Sequence, residues 1–296
     1  IKIGLQFSVS PYTWGFELTP TLISGYFILM GLLSVWFFIR GSNNLSVGTI
    51  LFSIFIYFGL TNMPWLPLIF IYGLISYKIG GLKLSFTVVG SLLFITLTGI
   101  LPQALLSIYL CGIAVTISFL LGASLGIWAA HNNRVSAVMR PINDTMQTMP
   151  SFVIIIPFLM FFGIGDFTAL LAIVAYAFVP AMRYTEHGLR NLPETVIEAA
   201  QMIGCSKSQL LWKVKIPLAM PVIMLGLNQT IMFGLAMLVI AALVGTTGLG
   251  QLIYIGLTKA DFGTGMISGV SIALIAIIFD RTLQSLKENF EKNYNG

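Results

Sequence analysis

Charged side chains are scarce in this sequence. Its 296 residues include 15 Lys or Arg and 10 Asp or Glu, which together make 8%, whereas a soluble domain carries about 25%. Hydrophobic residues make up 57%, and the mean hydropathy is +0.95. This composition provides too little polar surface for a water-soluble globule. It excludes a soluble enzyme, a disordered chain and a secreted disulfide scaffold, and it predicts an all-α polytopic membrane protein.

Cysteine and histidine are also few. Cys111 lies in an apolar run, and Cys205 lies in a distant polar segment. His131 and His187 both fall at cytoplasmic ends of predicted spans, without a second ligand or a catalytic partner nearby in the sequence. A metal site needs clustered ligands, so the sequence predicts neither a metal site nor a disulfide, and it predicts that the chain holds no cofactor.

Long apolar runs are abundant. A transmembrane helix needs about 20 mostly apolar residues. One run is short and contains Pro67, so the predicted number of spans is nine, with eight as the alternative. The predicted spans are 20–39, 45–61, 64–77, 84–101, 104–130, 149–165, 167–183, 220–245 and 265–283.

The connecting loops sort the charges. If Lys78 and Lys83 lie inside, 13 of the 15 basic residues lie inside, and Lys2 and Lys259 are the two outside. This asymmetry follows the positive-inside rule, and it predicts an outside N-terminus and a cytoplasmic C-terminus. The net charge of +5 therefore indicates a basic cytoplasmic face rather than binding to nucleic acid. Because no acidic residue is expected at the bilayer midplane, proton- or cation-coupled transport is disfavoured.

One long polar segment, 184–217, separates two predicted spans. Apolar residues recur in it at helical spacing, and Gly204 is expected to end a first short helix. Ser206 is a suitable N-cap for a second helix, which Pro217 and Pro221 are expected to end at the membrane. The segment is either an amphipathic hairpin on the lipid headgroups or a docking element for a cytoplasmic partner. The residues at helical spacing are Leu192, Val196, Ala199, Ala200, Ile203, Leu210, Leu211 and Val214.

A resemblance becomes specific in this segment. Glu198-Ala199-Ala200, three residues, Gly204, nine residues and then 214–217 (Val-Lys-Ile-Pro) resemble the EAA loop of ABC importer permeases. The family pattern ends Ile-x-Leu-Pro, so Val214 and Ile216 are conservative departures. Four further stretches resemble the glycine betaine/proline/choline branch, and the likeness covers about 104–285. They are 146–150 (Met-Gln-Thr-Met-Pro), 228–230 (Asn-Gln-Thr), 248–251 (Gly-Leu-Gly-Gln) and 277–281 (Ile-Ile-Phe-Asp-Arg).

The resemblance implies a type I ABC importer permease in the bacterial cytoplasmic (inner) membrane. Such a subunit would import a small zwitterionic or quaternary-ammonium solute, such as glycine betaine, choline or proline. Its EAA loop would seat on a separate ATP-binding subunit, which would hold the ATP and Mg²⁺. This chain has no Gly-x-x-x-x-Gly-Lys-Ser/Thr motif of its own. The residues implied to couple to the ATPase are Glu198, Ala199, Ala200, Gly204 and Pro217.

Two further partners are implied by the resemblance. An extracytoplasmic solute-binding protein would deliver the solute, and a second copy of the chain would complete a homodimer, because the chain has no internal repeat. The glycine-rich segment after the eighth span is either a plain turn or the surface that faces the binding protein. The residues assigned to that surface are Gly245, Gly248, Leu249, Gly250 and Gln251.

Candidates for the translocation path are polar residues inside or beside spans. Asn228, Gln229 and Thr230 are adjacent and cover about 200° of a helix, so at least one should face protein or water. They either form interhelical hydrogen bonds or line the path. Weaker candidates, at the start of span 149–165, are Thr148, Met149 and Pro150.

The predicted organisation has four parts. An external segment, 1–19, precedes accessory spans at 20–103. The permease core follows at 104–285, with the coupling loop 184–217, and a cytoplasmic tail occupies 286–296.

Other functions remain as alternatives. A channel or secondary transporter would work without an ATPase. A membrane enzyme is disfavoured, because the sequence offers no catalytic set. The stretch 163–166 (Gly-Ile-Gly-Asp) matches a motif of intramembrane aspartyl proteases, but that chemistry needs two carboxylates at one site. Asp166 falls in a predicted outside turn without a second Asp in a neighbouring span.

Overall fold

The computed structural model describes residues 65–295, apart from the side chains of Pro67 and of residues 292–295. The predicted segment 1–19 and the spans 20–39 and 45–61 lie outside the described residues. The chain divides into two compact units after Tyr72. Of the first unit, only the helical residues 65–72 are described. Everything below concerns the second unit, from Gly73 onward.

The described part of the chain is helical throughout, as the composition predicts, and its long helices are joined by short connections. A π-helical segment, Leu210–Lys215, leads into α8, and a 3₁₀ turn, Ala242–Val244, follows it. The α-helices are α1 (Trp65–Leu97), α2 (Leu101–His131), α3 (Asn133–Thr148), α4 (Ser151–Phe162), α5 (Asp166–Arg190), α6 (Glu194–Met202), α7 (Lys207–Gln209), α8 (Ile216–Ala241), α9 (Leu249–Thr258) and α10 (Phe262–Asn295).

Helix α1 reverses direction at a pair of glycines. Gly80 and Gly81 leave helical geometry, and Gly81 has φ +73°. The Ser85 hydroxyl donates to the carbonyl of Gly73 at 2.9 Å, although twelve residues of a straight helix would separate them by about 18 Å. Two antiparallel segments therefore meet at a turn flanked by Lys78 and Lys83. The turn falls between the predicted spans 64–77 and 84–101.

Five described helices are long and apolar enough to cross a membrane. A sixth candidate is the pair α3 and α4, which bends by 101° between its two helices. The first of the five is the reversed helix α1. The predicted span 149–165 corresponds to α4, which contains 12 residues, or about 18 Å of helix, and which could cross only together with α3. The spans are Leu68–Leu97, Leu101–His131, Asp166–Arg190, Lys207–Val244 and Phe262–Glu291.

Helices α2 and α5 pack closely against each other at the centre of the bundle. Gly122 and Gly126 lie one turn apart on α2, and they allow the backbone of α5 to approach. A Cβ added at Gly122 would lie 2.6 Å from the Ala181 Cβ, and one at Gly126 would lie 2.7 Å from the Met182 carbonyl oxygen. Small residues at this spacing are typical of membrane helix contacts. The apolar core beside this contact comprises Leu110, Ala114, Ile154, Ile155, Ala169, Ala172, Ile173, Met237, Leu238, Ala241 and Val244.

Basic residues gather at one end of the bundle. The amide of Asn289, near the end of α10, donates to the Ile79 carbonyl at 2.7 Å. The turn of α1 therefore lies beside the charged end of α10. At the opposite end, the Gly165 amide donates to the Val244 carbonyl at 3.0 Å. Within residues 65–295, Lys259 is the one basic residue near that end. The two ends thus differ in charge as the loop assignment predicts.

Candidate functional site

The first part of the predicted coupling loop folds into a short helix and a tight cap. Pro193 precedes α6, and Glu194 occupies its first turn, where a negative side chain complements the helix dipole. Gly204 has φ +87°, a backbone conformation that residues with a side chain rarely adopt. Its amide donates to the Gln201 carbonyl at 2.9 Å, and the Cys205 amide donates to the Ala200 carbonyl at 3.3 Å. The predicted break at Gly204 is confirmed.

A capping box begins the next helix. The Ser206 hydroxyl accepts from the Gln209 amide at 3.3 Å, and the Gln209 side chain accepts from the Ser206 amide at 2.9 Å. These two bonds satisfy amide groups that a helix start would otherwise leave unpaired. The predicted N-cap at Ser206 is confirmed.

The prediction that Pro217 and Pro221 end this helix is wrong. Helical structure continues from Lys207 to Val244. Proline has no amide hydrogen and crowds the preceding turn. The chain accommodates Pro217 through the π-helical segment Leu210–Lys215 immediately before it, since a π-turn shifts the hydrogen-bond register by one residue. The last part of the loop, from Lys207 onward, and the following span are therefore one continuous helix.

The surface around Gly204 is open and partly apolar. A Cβ added at Gly204 would meet no atom of the described residues within 4 Å. Met202 is 90% exposed and Ile203 is 85% exposed. Trp212 is 64% exposed. Glu198 and Ala199 are exposed, while Ala200 is buried. Helix α6 contacts the π-helical segment Leu210–Lys215, and the outer side of the Gly204 cap is open.

The three adjacent polar residues of α8 have different surroundings. The Asn228 side chain is buried, and its amide donates to a carboxylate oxygen of Asp280 on α10 at 2.7 Å. The buried Thr230 hydroxyl donates to the Gly226 carbonyl of its own helix at 2.7 Å. Gln229 is partly exposed. Asn228 thus forms the interhelical hydrogen bond that was one of the two predicted alternatives.

Thr148, Met149 and Pro150 form the sharp bend between α3 and α4. The Thr148 hydroxyl donates to the carbonyl oxygens of Asp144 and Thr145 at 3.0 and 3.1 Å. Met149 and Pro150 have extended backbones. Because a proline disfavours helical geometry in the residue before it, the helix ends at Thr148.

The glycine-rich segment 245–251 is largely internal. Gly248 and Gly250 are buried, and Leu249 is fully buried. Only Gly245 of the five assigned residues is exposed, and Gln251 is partly exposed. The Leu249 amide donates to the Ser107 hydroxyl of α2 at 2.8 Å. The prediction that this whole segment faces a binding protein is therefore wrong for its three central residues, which pack inside the bundle.

The protease-like motif serves a structural role. One carboxylate oxygen of Asp166 accepts from the Thr247 amide at 3.1 Å, and the Gly165 amide bonds the Val244 carbonyl. The motif thus fastens the start of α5 to segment 245–251. Among residues 65–295, no group of three His, Cys, Asp or Glu side chains is arranged to hold a metal ion.

A charged cavity was missed by the sequence analysis. It has a volume of about 780 Å³ and lies between α3 and α5. Arg183 donates to Asp144 and to Gln147 across it. The polar residues recur three, four or seven positions apart on each helix, which is a helical stripe that the sequence could have shown. The polar lining comprises Arg140, Asp144, Gln147, Arg183, Tyr184, Glu186, His187, Arg190 and Asn191.

Solved transporter structures share this fold. A chain of the MetNI methionine ABC transporter, solved in inward-facing conformations, matches with a TM-score of 0.56 at 19% identity. The match covers 62% of this chain and 92% of that chain. An amino acid ABC transporter crystallised with histidines matches with a TM-score of 0.55 at 18% identity, over 66% of this chain and 98% of that chain. At these identities the likeness establishes the fold.

Sequence relatives establish the family. The family described as "Binding-protein-dependent transport system inner membrane component" matches residues 122–295, which is more than half of the chain. The glycine betaine transport system permease protein OpuAB of Bacillus subtilis (strain 168) is 38% identical over 231 residues, covering 77% of this chain and 81% of that protein. The chain therefore belongs to the inner membrane components of binding-protein-dependent transport systems.

Other relatives are longer than this chain. The glycine betaine/proline betaine transport system permease protein ProW of Escherichia coli (strain K12) is 38% identical over 77% of this chain, which spans 64% of that protein. The trimethylamine N-oxide transport system permease protein TmoV of Pelagibacter ubique (strain HTCC1062) is 42% identical over 71% of this chain, which spans 29% of that protein.

Proposed function

We propose that this chain is the membrane-spanning subunit of an ATP-driven importer for a small zwitterionic or quaternary-ammonium solute. Three relatives with 38–42% identity are permeases named for glycine betaine, proline betaine or trimethylamine N-oxide. These solutes share a compact, highly polar head and no net charge. The chain itself performs translocation and is not an enzyme. ATP hydrolysis, with its Mg²⁺, takes place on a separate ATP-binding subunit.

The exposed surface around Gly204 carries this proposal. Met202, Ile203 and Trp212 are apolar and exposed beside an open glycine cap, and exposed apolar surface marks interaction sites. By the positive-inside rule, the basic end of the bundle faces the cytoplasm, which is the side where an ATPase would dock. The residues proposed to couple to that subunit are Glu198, Ala199, Ala200, Gly204 and Pro217.

The remaining assignments follow from the same proposal. The basic end faces the cytoplasm, so the C-terminus lies inside, and the N-terminus lies outside. A second copy of the chain completes the translocation path, and a solute-binding protein docks on the opposite side. Gln229 is the best-placed path residue of its trio, since its side chain is neither fully buried nor committed to a described hydrogen bond. Residues 148–150 are candidates because they bend the chain beside the charged cavity.

Uptake in cells tests the proposal. Cells without other betaine uptake systems would express this chain with the ATPase and binding protein that copurify with it, and uptake of radiolabelled glycine betaine would be measured. Gly204→Asp and Glu198→Arg are expected to abolish uptake while the protein remains inserted in the membrane. Thr87→Ala removes an exposed hydroxyl that bonds the Lys83 carbonyl of its own helix, away from both proposed docking surfaces, and should leave uptake unchanged. Uptake that survives both changes, or that needs no ATPase, would favour a channel or a secondary transporter.

A further inference from the structure

Arg190, the last residue of α5, joins three helices. Its Nε donates to the Glu186 carboxylate at 2.9 Å. One terminal nitrogen donates to the Asn133 side-chain oxygen at 2.9 Å, and the other donates to the Ala129 carbonyl at 2.6 Å. Three guanidinium nitrogens thus contact α5, the start of α3 and the last turn of α2. This use of a planar, multidentate donor distinguishes arginine from lysine.

The Glu186 carboxylate is bound from a second side. It is buried, and the Ser136 hydroxyl of α3 donates to the same oxygen that Arg190 contacts, at 2.6 Å. We call Ala129, Asn133, Ser136, Glu186 and Arg190 the arginine junction. The Arg190 side chain stays partly exposed, so solvent screens its attraction to Glu186, and the ion pair by itself adds little to stability. Its value in this charge-poor chain therefore lies in fixing the relative positions of the three helices.

The junction lies where the exposed loop leaves the bundle. Arg190 is followed by three residues before α6 begins at Glu194, so a displacement of α6 is passed to Arg190 through a short connection. Sliding between α2 and α5 is restricted nearby, because a Cβ at Gly126 would lie 2.8 Å from the Thr185 Cβ. At its other end, α3 runs into the 101° bend at residues 149–150.

We propose that Arg190 is a positioning residue for transport, which fixes the loop around α6 to α2 and α3 so that movement of α6 reaches the bend beside the translocation path. This inference rests on the proposed function as an ATP-driven importer subunit. Arg190 touches no solute in this role, and it acts through Glu186, Asn133 and the end of α2. Loss of the junction would leave ATP hydrolysis running while solute movement fails.

The test uses the whole importer in proteoliposomes, with [¹⁴C]glycine betaine bound to its binding protein. In Arg190→Lys the charge remains, but a compact ammonium cannot hold three separated partners. We expect the maximal uptake rate per inserted complex to fall about tenfold or more, with an unchanged KM. This is the result expected when the lost interaction is needed in the transport step and not in solute binding. ATP hydrolysis per complex should change far less, so more ATP is consumed per solute molecule.

Matched variants separate this role from a general loss of structure. Glu186→Gln keeps an oxygen that accepts from Ser136 and Arg190, so its defect should be smaller than that of Arg190→Lys. The double variant should lose little beyond Arg190→Lys alone, because the two residues act as one unit. Arg134→Lys makes the same chemical change at an exposed site on α3 and should leave the ATP-to-solute ratio unchanged.

Two results would overturn the inference in different ways. If Arg190→Lys keeps the wild-type ATP-to-solute ratio, and any lower uptake matches a lower amount of inserted complex, the junction is only structural and the proposed function stands. If the wild-type importer shows no ATP-driven uptake of betaine or a related solute, the proposed function fails, and the inference fails with it.

Discussion

Two glycine-containing segments at opposite ends of the bundle invite comparison. Segment 191–215, around Gly204, and segment 245–251, around Gly248, both looked like partner-facing surfaces in the sequence. Both glycines have positive φ, +87° and +114°. Yet a Cβ at Gly204 would meet nothing within 4 Å, whereas one at Gly248 would lie 2.5 Å from the Ser107 hydroxyl oxygen. A glycine with positive φ thus lies once at an open surface and once in tight internal packing.

This difference in surroundings predicts that Gly248 contributes to the stability of the fold and Gly204 to the interaction with a partner. Substitutions at Gly248 should act on the folded chain, because its neighbours belong to the chain itself. Substitutions at Gly204 should act mainly through a partner, because the described chain offers no neighbour to disturb. Four predictions, ordered by expected loss of stability, test whether this division holds.

The largest expected effect is that of Gly248→Ala. The new methyl group would clash with Ser107, and alanine would have to adopt a backbone conformation (φ +114°, ψ −158°) that is open to glycine alone, so strain and overpacking together should destabilise the protein by about 3 kcal/mol. The measurement is the thermal unfolding midpoint of the detergent-solubilised protein. Gly112→Ala is the control, since a Cβ there meets nothing within 4 Å and its helical backbone accepts alanine. Equal midpoints for both variants would contradict the internal role of Gly248.

Ser107→Ala should destabilise the protein less, by about 1–3 kcal/mol, because it leaves the buried Leu249 amide without its acceptor. The matched control is Ser124→Ala on the same helix, where an exposed hydroxyl bonds only the Leu120 carbonyl of its own helix. Thermal midpoints again provide the measurement, and hydrogen exchange at the Leu249 amide should quicken in Ser107→Ala alone. Unchanged protection of that amide would show that segment 245–251 is held by other contacts.

Gly204→Ala should lower stability by only about 1 kcal/mol, which is the strain of a left-handed alanine. Gly204→Asn should be milder, since asparagine adopts this conformation more readily. The thermal midpoints of the two variants test this order. A loss of stability as large as that of Gly248→Ala would mean that segment 191–215 packs against the rest of the chain. The two segments would then not differ in the way proposed.

The smallest effect concerns Asp261, at the same end as segment 245–251. Hydrogen bonds from the Thr264 hydroxyl and amide hold the pKa of this carboxyl below its ordinary value of 3.8. The folded-state pKa is depressed, so the stabilisation is present above the ordinary pKa and is lost as the pH falls through the folded value. Hydrogen exchange at the Thr264 amide should therefore quicken in acid. Asp261→Asn should remove this pH dependence, and an unchanged dependence would contradict it.

Short-range signals in the sequence were reliable. The break at Gly204 and the cap at Ser206 depend on residues within five positions, so composition and spacing sufficed to predict them. The end of a helix at Pro217 was also a local inference, but it failed because the preceding turns adopt π-helical geometry and absorb the missing hydrogen bond. A proline in a sequence is thus a reliable sign that the helix is distorted, and a less reliable sign that the helix ends.

Long-range arrangements could not be predicted. Burial of Leu249 depends on Ser107, which is 142 residues away, and the surroundings of Asn228 depend on Asp280, which is 52 residues away. The arginine junction likewise joins residues up to 61 positions apart. Within α5, the stripe of Arg183, Glu186 and Arg190 was visible, but its partners on α2 and α3 were not. A single sequence carries no direct record of such pairs.

The unbroken helix from Lys207 to Val244, 38 residues in length, links the two compared segments mechanically. It is about 55 Å long, and Asn228 binds Asp280 near its middle. A stiff rod held at such a point acts as a lever: a tilt of about 5° moves each end by roughly 2.4 Å in opposite directions. Val244 receives the hydrogen bond of Gly165. If the proposed ATPase pushes beside Ser206, the far end would therefore move against the loops around Gly165 and Gly248.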